Sequence, residues 1–191
     1  MNMSSFENDI EASVNKLNDG KLILYPTDTI WGIGCDATDG SAVKKIYALK
    51  KREEKKSLII LVADETMIMQ YVSEPSVELL SYISTSQKPT TAIFKNAIHL
   101  PPQLVNEDGS IAMRIPKDDF CLQLIQKFGK PLVSTSANIS GEKFPQNFNE
   151  VSDEIKNGVD YIVQHRQNDY SKNAPSSIIK LNDQDEIDII R

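Results

Sequence analysis

The sequence predicts an α/β fold with a mixed sheet packed against helices. Three observations carry this. Segments of helical and strand periodicity alternate along the chain. Leu58-Ile59-Ile60-Leu61-Val62 is a continuous apolar run, the pattern of a strand buried on both faces. The second half holds several short strands, which favours antiparallel pairing beside any parallel core. With 191 residues and no internal repeat, low-complexity tract or linker, the chain fits one domain over 1–191.

The elements follow in order. Ser4 or Ser5 caps a helix running to about Asn18, and Gly20 marks its end. Leu22-Ile23-Leu24-Tyr25 is a short apolar strand stopped by Pro26. Asp39 and Ser41 precede a helix from Ala42 to about Lys51, with Val43, Ile46, Tyr47 and Leu49 apolar. The buried strand 58–62 comes next. Helices are expected at 65–72 and 75–85, then strands at 91–95 and 110–115 around a Pro101-Pro102 loop. Phe120 to Phe128 is apolar at helical spacing and ends at Gly129. Pro131 opens a strand through Leu132-Val133. A short helix near 148–157 and strands near 160–163, 176–181 and 186–190 complete the chain.

Composition narrows the function classes. Hydrophobic residues make up 40% and charged residues 25%, ordinary for a globular protein. No apolar run is long enough to span a bilayer, and Met1 to Glu7 lacks the basic start and apolar stretch of a signal peptide. The expected location is the cytoplasm, with no membrane partner. Cys35 and Cys121 form no CxxC pair, and His99 and His165 share no metal-like spacing with other ligands, so a disulfide framework, a cysteine-rich zinc site and a His-based metal site are not expected. The net charge of −6 makes nucleic acid a poor first candidate for the main ligand.

Three segments hold residue types that do chemistry. Tyr25-Pro26-Thr27-Asp28-Thr29-Ile30-Trp31-Gly32-Ile33-Gly34 follows the carboxyl end of a predicted strand, where open α/β sheets place ligands. Two threonine hydroxyls beside a carboxylate suit a small polar ligand; a turn is the plainer alternative. Lys50-Lys51-Arg52-Glu53-Glu54-Lys55-Lys56 follows a helix, where a solvated charged turn is common. Its functional reading is phosphate binding, Lys50 giving a point charge and Arg52 a planar fork. It is not a Walker A loop, since GxxxxGK[ST] occurs nowhere in the chain. Ser134-Thr135-Ser136-Ala137-Asn138-Ile139-Ser140-Gly141 follows a buried strand. One helix cap needs one such side chain, and this segment offers five, which favours a ligand site. Arg114 ends the strand Ile111-Ala112-Met113-Arg114, where it suits a buried carboxylate or phosphate partner, or a surface ion pair. No Cys–His or Ser–His pairing supports a covalent hydrolase.

In this order the segments resemble the YrdC family of threonylcarbamoyl-AMP synthases. The similarity runs from about Gly20 to Arg191. It rests on Tyr25 to Thr29 with Trp31 to Gly34, on Leu49 to Arg52 with Lys56, on Met113 to Pro116, and on Ser134 to Asn138 with Ser140-Gly141. The family's KxR and SxN signatures fall on Lys50/Arg52 and Ser136/Asn138. The length is similar to the short bacterial form.

The resemblance implies an open, twisted sheet around a concave site. It implies a nucleotidyltransferase that forms threonylcarbamoyl-AMP and pyrophosphate from L-threonine, bicarbonate or CO2, and ATP. The product serves tRNA N6-threonylcarbamoyladenosine modification, with partner proteins transferring it to tRNA. Carried over by position, Lys50 and Arg52 are the catalytic pair and hold ATP phosphates with Lys56. Ser136, Asn138, Lys143 and Arg191 contact ATP, as does Ser110 through its backbone. Thr27, Arg114 and Ser134 hold threonine, Arg114 pairing its carboxylate, and Ser176 or Ser177 closes that pocket. Mg²⁺ accompanies ATP, held by phosphates and water. The chain departs from the family at Ser86 to Thr91, where a Trp-Pro-Gly-Pro stretch is common. It departs again at Ser57, and at Gly141 to Pro145, where Lys143 is the nearest substitute for a frequent arginine. The alternatives are a non-catalytic RNA-binding module of the same fold, motivated by the Lys50–Lys56 cluster, and a paralogue with another carbamoyl acceptor.

Overall fold

The computed structural model describes residues 6–54 and 58–191. The expected cap at Ser4 or Ser5, the expected ATP contact at Lys56 and the family departure at Ser57 lie outside the described residues. Helices are α1 Glu7–Asn18, α2 Gly40–Leu49, α3 Glu65–Tyr71, α4 Val77–Thr85, α5 Asp119–Phe128 and α6 Asp153–Gly158. Strands are β1 Ile23–Tyr25, β2 Gly32–Gly34, β3 Ile59–Leu61, β4 Thr90–Phe94, β5 Ile111–Arg114, β6 Leu132–Ser136, β7 Tyr161–Ile162, β8 Ser177–Leu181 and β9 Ile187–Ile189.

Short polar side chains set the helix starts. Asp39, Asp64, Ser76, Asp118 and Ser152 each accept a backbone N–H from the first turn of α2, α3, α4, α5 and α6 respectively. Gly129, at φ +76°, ends α5 in the left-handed conformation that costs glycine little.

Three elements differ from the sequence expectation. β2 was not anticipated, because Gly-Ile-Gly has little strand propensity. It forms because its glycines allow close packing: a Cβ on Gly34 would lie 2.7 Å from Tyr25 Cε1 and 2.8 Å from the Val133 carbonyl oxygen. The helix expected at 148–157 is broken into a 3-10 turn, Phe148–Glu150, and α6. The break is at Val151 and Ser152, both extended, where the Ser152 hydroxyl starts a new helix. β6 also runs beyond Val133 to Ser136, so the hydroxyl-rich segment begins inside the strand.

The sheet has nine strands in the order β7-β1-β2-β6-β3-β5-β4-β8-β9. Parallel pairs are β1/β7, β3/β5 and β4/β8, and the other five neighbours are antiparallel, so the sheet is mixed as expected. Register then decides what each face carries, because successive side chains point to opposite sides. Leu24, Ile33, Ile60, Val133, Met113, Ala92 and Ile179 lie on one face, packed with Val43 and Ile46 of α2 and Leu79 and Ile83 of α4. On the opposite face Ile23, Tyr25, Leu61 and Leu132 pack against Leu17 of α1 and Phe120, Leu124 and Ile125 of α5. Ile59 pairs with both Ala112 and Ser134, and Ala112 with Ile93, so these four share that second face. α1 and α5 cover only part of it; the rest is the concave wall of a cavity.

Candidate active site

The cavity has a volume of about 460 Å³. Its floor is the open part of the sheet: Gly32 from β2, Ile59 from β3, Ile93 from β4, Ala112 and Arg114 from β5, and Ser134 and Ser136 from β6. Arg52, Phe144, Ser176 and Arg191 close its sides from loops and the β9 end. Three guanidinium groups thus face one space with three serines, and among the described lining residues there is no Asp or Glu side chain. Such a wall suits a polyanion and a carboxylate together.

Six residues expected at the site line this cavity: Arg52, Arg114, Ser134, Ser136, Ser176 and Arg191. The others are placed differently. Lys50 follows α2 and is only 1% exposed. Its Nζ donates to the Ser136 carbonyl at 2.5 Å and the Asn138 carbonyl at 2.6 Å, so it sits beneath the hydroxyl-rich loop. The Lys50 carbonyl in turn accepts from the Ser140 N–H at 2.8 Å. Burial, and then the charge of Arg52, pull the Lys50 ammonium down to about 8. Asn138 Nδ2 donates to the Ile139 and Glu142 carbonyls, leaving its Oδ1 buried without a partner.

Thr27 is buried behind the wall. Its hydroxyl donates to the Ile30 carbonyl and lies 2.8 Å from the Thr29 hydroxyl, and a small cleft there is lined by Thr27, Thr29 and Arg166. Ser110 is buried at the start of β5, its N–H donating to Asp108 and its hydroxyl accepting from Asn106. Ser177 pairs with Thr90 of β4, while Ser176 holds the Thr91 hydroxyl at 2.8 Å. Arg191 Nε and Nη2 donate to the Ser176 carbonyl at 3.2 and 3.1 Å, which ties the end of the chain to the cavity rim. Lys143 is exposed on the loop after Gly141. Lys51, at φ +48°, turns outward to an exposed ion pair with Glu154.

The sequence reading missed several lining residues. Ile93 and Ala112 are apolar strand positions whose place on the open face follows only from register. Phe144 lies in a loop with no periodicity. Asp28, which the sequence marks only as a carboxylate beside two threonine hydroxyls, proves to be the partner of Arg114 just behind the cavity. Its Oδ1 accepts from Arg114 Nη1 at 2.6 Å, with side-chain exposures of 7% and 4%, and its Oδ2 accepts from the Lys117 N–H at 2.8 Å. The signal was half visible: a strand-end arginine needs a buried acid or a phosphate, but nothing in the sequence said which.

The thiols of Cys35 and Cys121 are buried, and burial pushes both pKa values well up, so neither is poised as a nucleophile. His165 packs against Phe6 and Phe120, and burial, with the charge of Arg166, favours its neutral form. Among the described residues, no three His, Cys, Asp or Glu side chains are grouped to hold a metal ion, and no helix is long and apolar enough to cross a membrane.

This fold has counterparts in known proteins. Residues 15–191 match the Sua5/YciO/YrdC family model, described as "Telomere recombination". A threonylcarbamoyl-AMP synthase of Pseudoalteromonas translucida is 31% identical over 162 residues, covering 83% of this chain and 87% of that one. Two solved structures share the fold. YciO of E. coli superposes with a TM-score of 0.82 at 24% identity, over 96% of this chain and 88% of that one. Sua5 of P. abyssi, crystallised with L-threonine, superposes with a TM-score of 0.84 at 24% identity, over 95% of this chain. The chain spans about half of that longer protein, 53% of its length. The open sheet and the family model agree, and the chain belongs to the Sua5/YciO/YrdC family.

Proposed function

We propose that this chain is a threonylcarbamoyl-AMP synthase, a nucleotidyltransferase acting as a single YrdC-like domain over 1–191. The observation that carries the reading is the convergence of Arg52, Arg114 and Arg191 with Ser134, Ser136 and Ser176 on one cavity. Relatives of that name at 31% and 33% identity support it.

The L-threonine amine and bicarbonate form a carbamate with loss of water. A carbamate oxygen attacks the α-phosphorus of ATP, the bond to the β-phosphate oxygen breaks, and pyrophosphate leaves. This chemistry needs positioning and charge neutralisation more than a side-chain nucleophile. Arg114 takes the amino-acid carboxylate, with Ser134 and Ser176 beside it and Thr27 and Ser177 assigned to the amino acid by resemblance. Arg52 and Arg191 face the phosphates. Lys50 braces the Ser136–Asn138 loop from beneath, with Ser110, Lys56 and Lys143 assigned to the nucleotide by resemblance. Mg²⁺ would enter with ATP, held by phosphates and water. The product goes to tRNA-modifying transfer proteins in the cytoplasm.

Incubation with ATP, L-threonine, bicarbonate and Mg²⁺ releases pyrophosphate in proportion to threonine. Folded protein that shows no threonine dependence overturns the proposal. Lys50→Ala and Arg52→Ala each remove most of the activity while leaving the circular dichroism spectrum unchanged.

A further inference from the structure

The Arg114–Asp28 pair is more than a structural ion pair. Removing one partner of a buried pair is strongly destabilising, yet replacing both by well-packed apolar groups is often neutral. Stability alone therefore gives little reason to bury these two charges side by side. Other features point to the cavity. Arg114 lines it, and its Nε is buried without a hydrogen-bond partner among the described residues. A buried unpaired donor is costly unless something else supplies the acceptor. Asp28 occupies only Nη1, and so fixes the roll of the planar guanidinium about its own axis.

The carboxylate that sets this roll is itself fixed. Its second oxygen accepts from the Lys117 N–H, immediately before Asp118, which caps α5. The neighbouring Thr27 carbonyl accepts from Arg166 Nη1 at 3.2 Å, and Arg166 Nη2 reaches Asp118 at 2.5 Å. The Thr27-Asp28 backbone is thus tied to the start of α5 at two points. Charge matters as well as direction. A guanidinium already balanced by a carboxylate at 2.6 Å attracts a polyphosphate far less than a bare one does. It still offers a directed donor to a monoanion.

We infer that Asp28 is a positioning residue: it orients and half-neutralises Arg114, so that the Nε edge receives the amino-acid carboxylate while triphosphate is left to the other arginines. This deepens the synthase reading and rests on it. The test measures L-threonine and ATP binding separately, by isothermal titration, for the protein, Asp28→Asn and Asp28→Ala. Asp28→Asn keeps the shape and removes the charge, so it stays informative if the alanine variant fails to fold. The expected result is a rise of about tenfold or more in the threonine Kd with the ATP Kd unchanged or lowered. Equal weakening of both ligands, or unchanged threonine binding, overturns the inference. If the unsubstituted protein itself binds no threonine, the synthase proposal falls and takes this inference with it.

Discussion

Lys50 carries an ammonium into a position that is 1% exposed, and two carbonyls hold it there. Burial and the nearby Arg52 lower its pKa from 10.5 to about 8. The sign of the consequence is fixed by proton counting. Between about pH 8 and 10.5 the unfolded chain keeps this proton and the native state sheds it, so stability from this group rises with pH. The cost of the buried charge is fully present below pH 8. Urea midpoints of the protein and of Lys50→Met should therefore diverge across that window in favour of the native lysine, by up to about 3 kcal/mol. A constant difference would show that burial does not lower the Lys50 pKa in the fold. None of this was legible in the sequence, where Lys50-Lys51-Arg52 reads as a solvated charge run. Only Lys51 fits that description; a lysine that threads beneath a loop 86 residues away leaves no local pattern. Asp28 and Arg114, the same distance apart in the chain, were hidden for the same reason.

Elements were easier to read than contacts. Capping residues and apolar periodicity located the helices and most strands, because those signals act within a few residues. β2 escaped because its pairing depends on what its glycines leave out. The two glycines of this strand differ in a way that separates fold from site. A Cβ at Gly34 meets Tyr25 and the Val133 carbonyl below 3 Å, whereas one at Gly32 meets the Ser134 hydroxyl and the Thr135 carbonyl at 3.4 Å. Gly34→Ala should lose about 2 kcal/mol or more of stability through overpacking. Gly32→Ala should fold nearly normally and bind substrates more weakly, because the new methyl sits at the cavity floor. Thermal melts of both variants, with and without ATP, check this. A Gly34→Ala variant as stable as the unsubstituted protein would refute the packing account of β2.

At the scale of the whole molecule, the cavity draws its walls from both halves of the sheet. β2 and β6 lie on one side, while β4 and the Ser176–Arg191 closure lie on the other. A ligand that bridges them stabilises the native state as a unit. At about 100 times its Kd, a bound ligand adds about 2.7 kcal/mol. In a protein of this size that raises Tm by about 5–10 °C. ATP with threonine should reach this range in a thermal-shift assay, and no shift at saturating concentrations would count against a shared site. The same view weakens the RNA-binding alternative. Of the cationic cluster that suggested it, Lys50 is buried and Lys51 is paired with Glu154, in a protein of net charge −6.

The two-faced sheet also governs how this protein can diverge. Along β3, β5 and β6, alternate positions answer to different demands: Ile60, Met113 and Val133 to the interior, and Ile59, Ala112, Arg114 and Ser134 to the ligand. Each strand therefore carries two interleaved messages, one about persistence and one about chemistry. Drift in the second leaves the first intact, so a duplicated copy can acquire a new acceptor without first having to rediscover its fold.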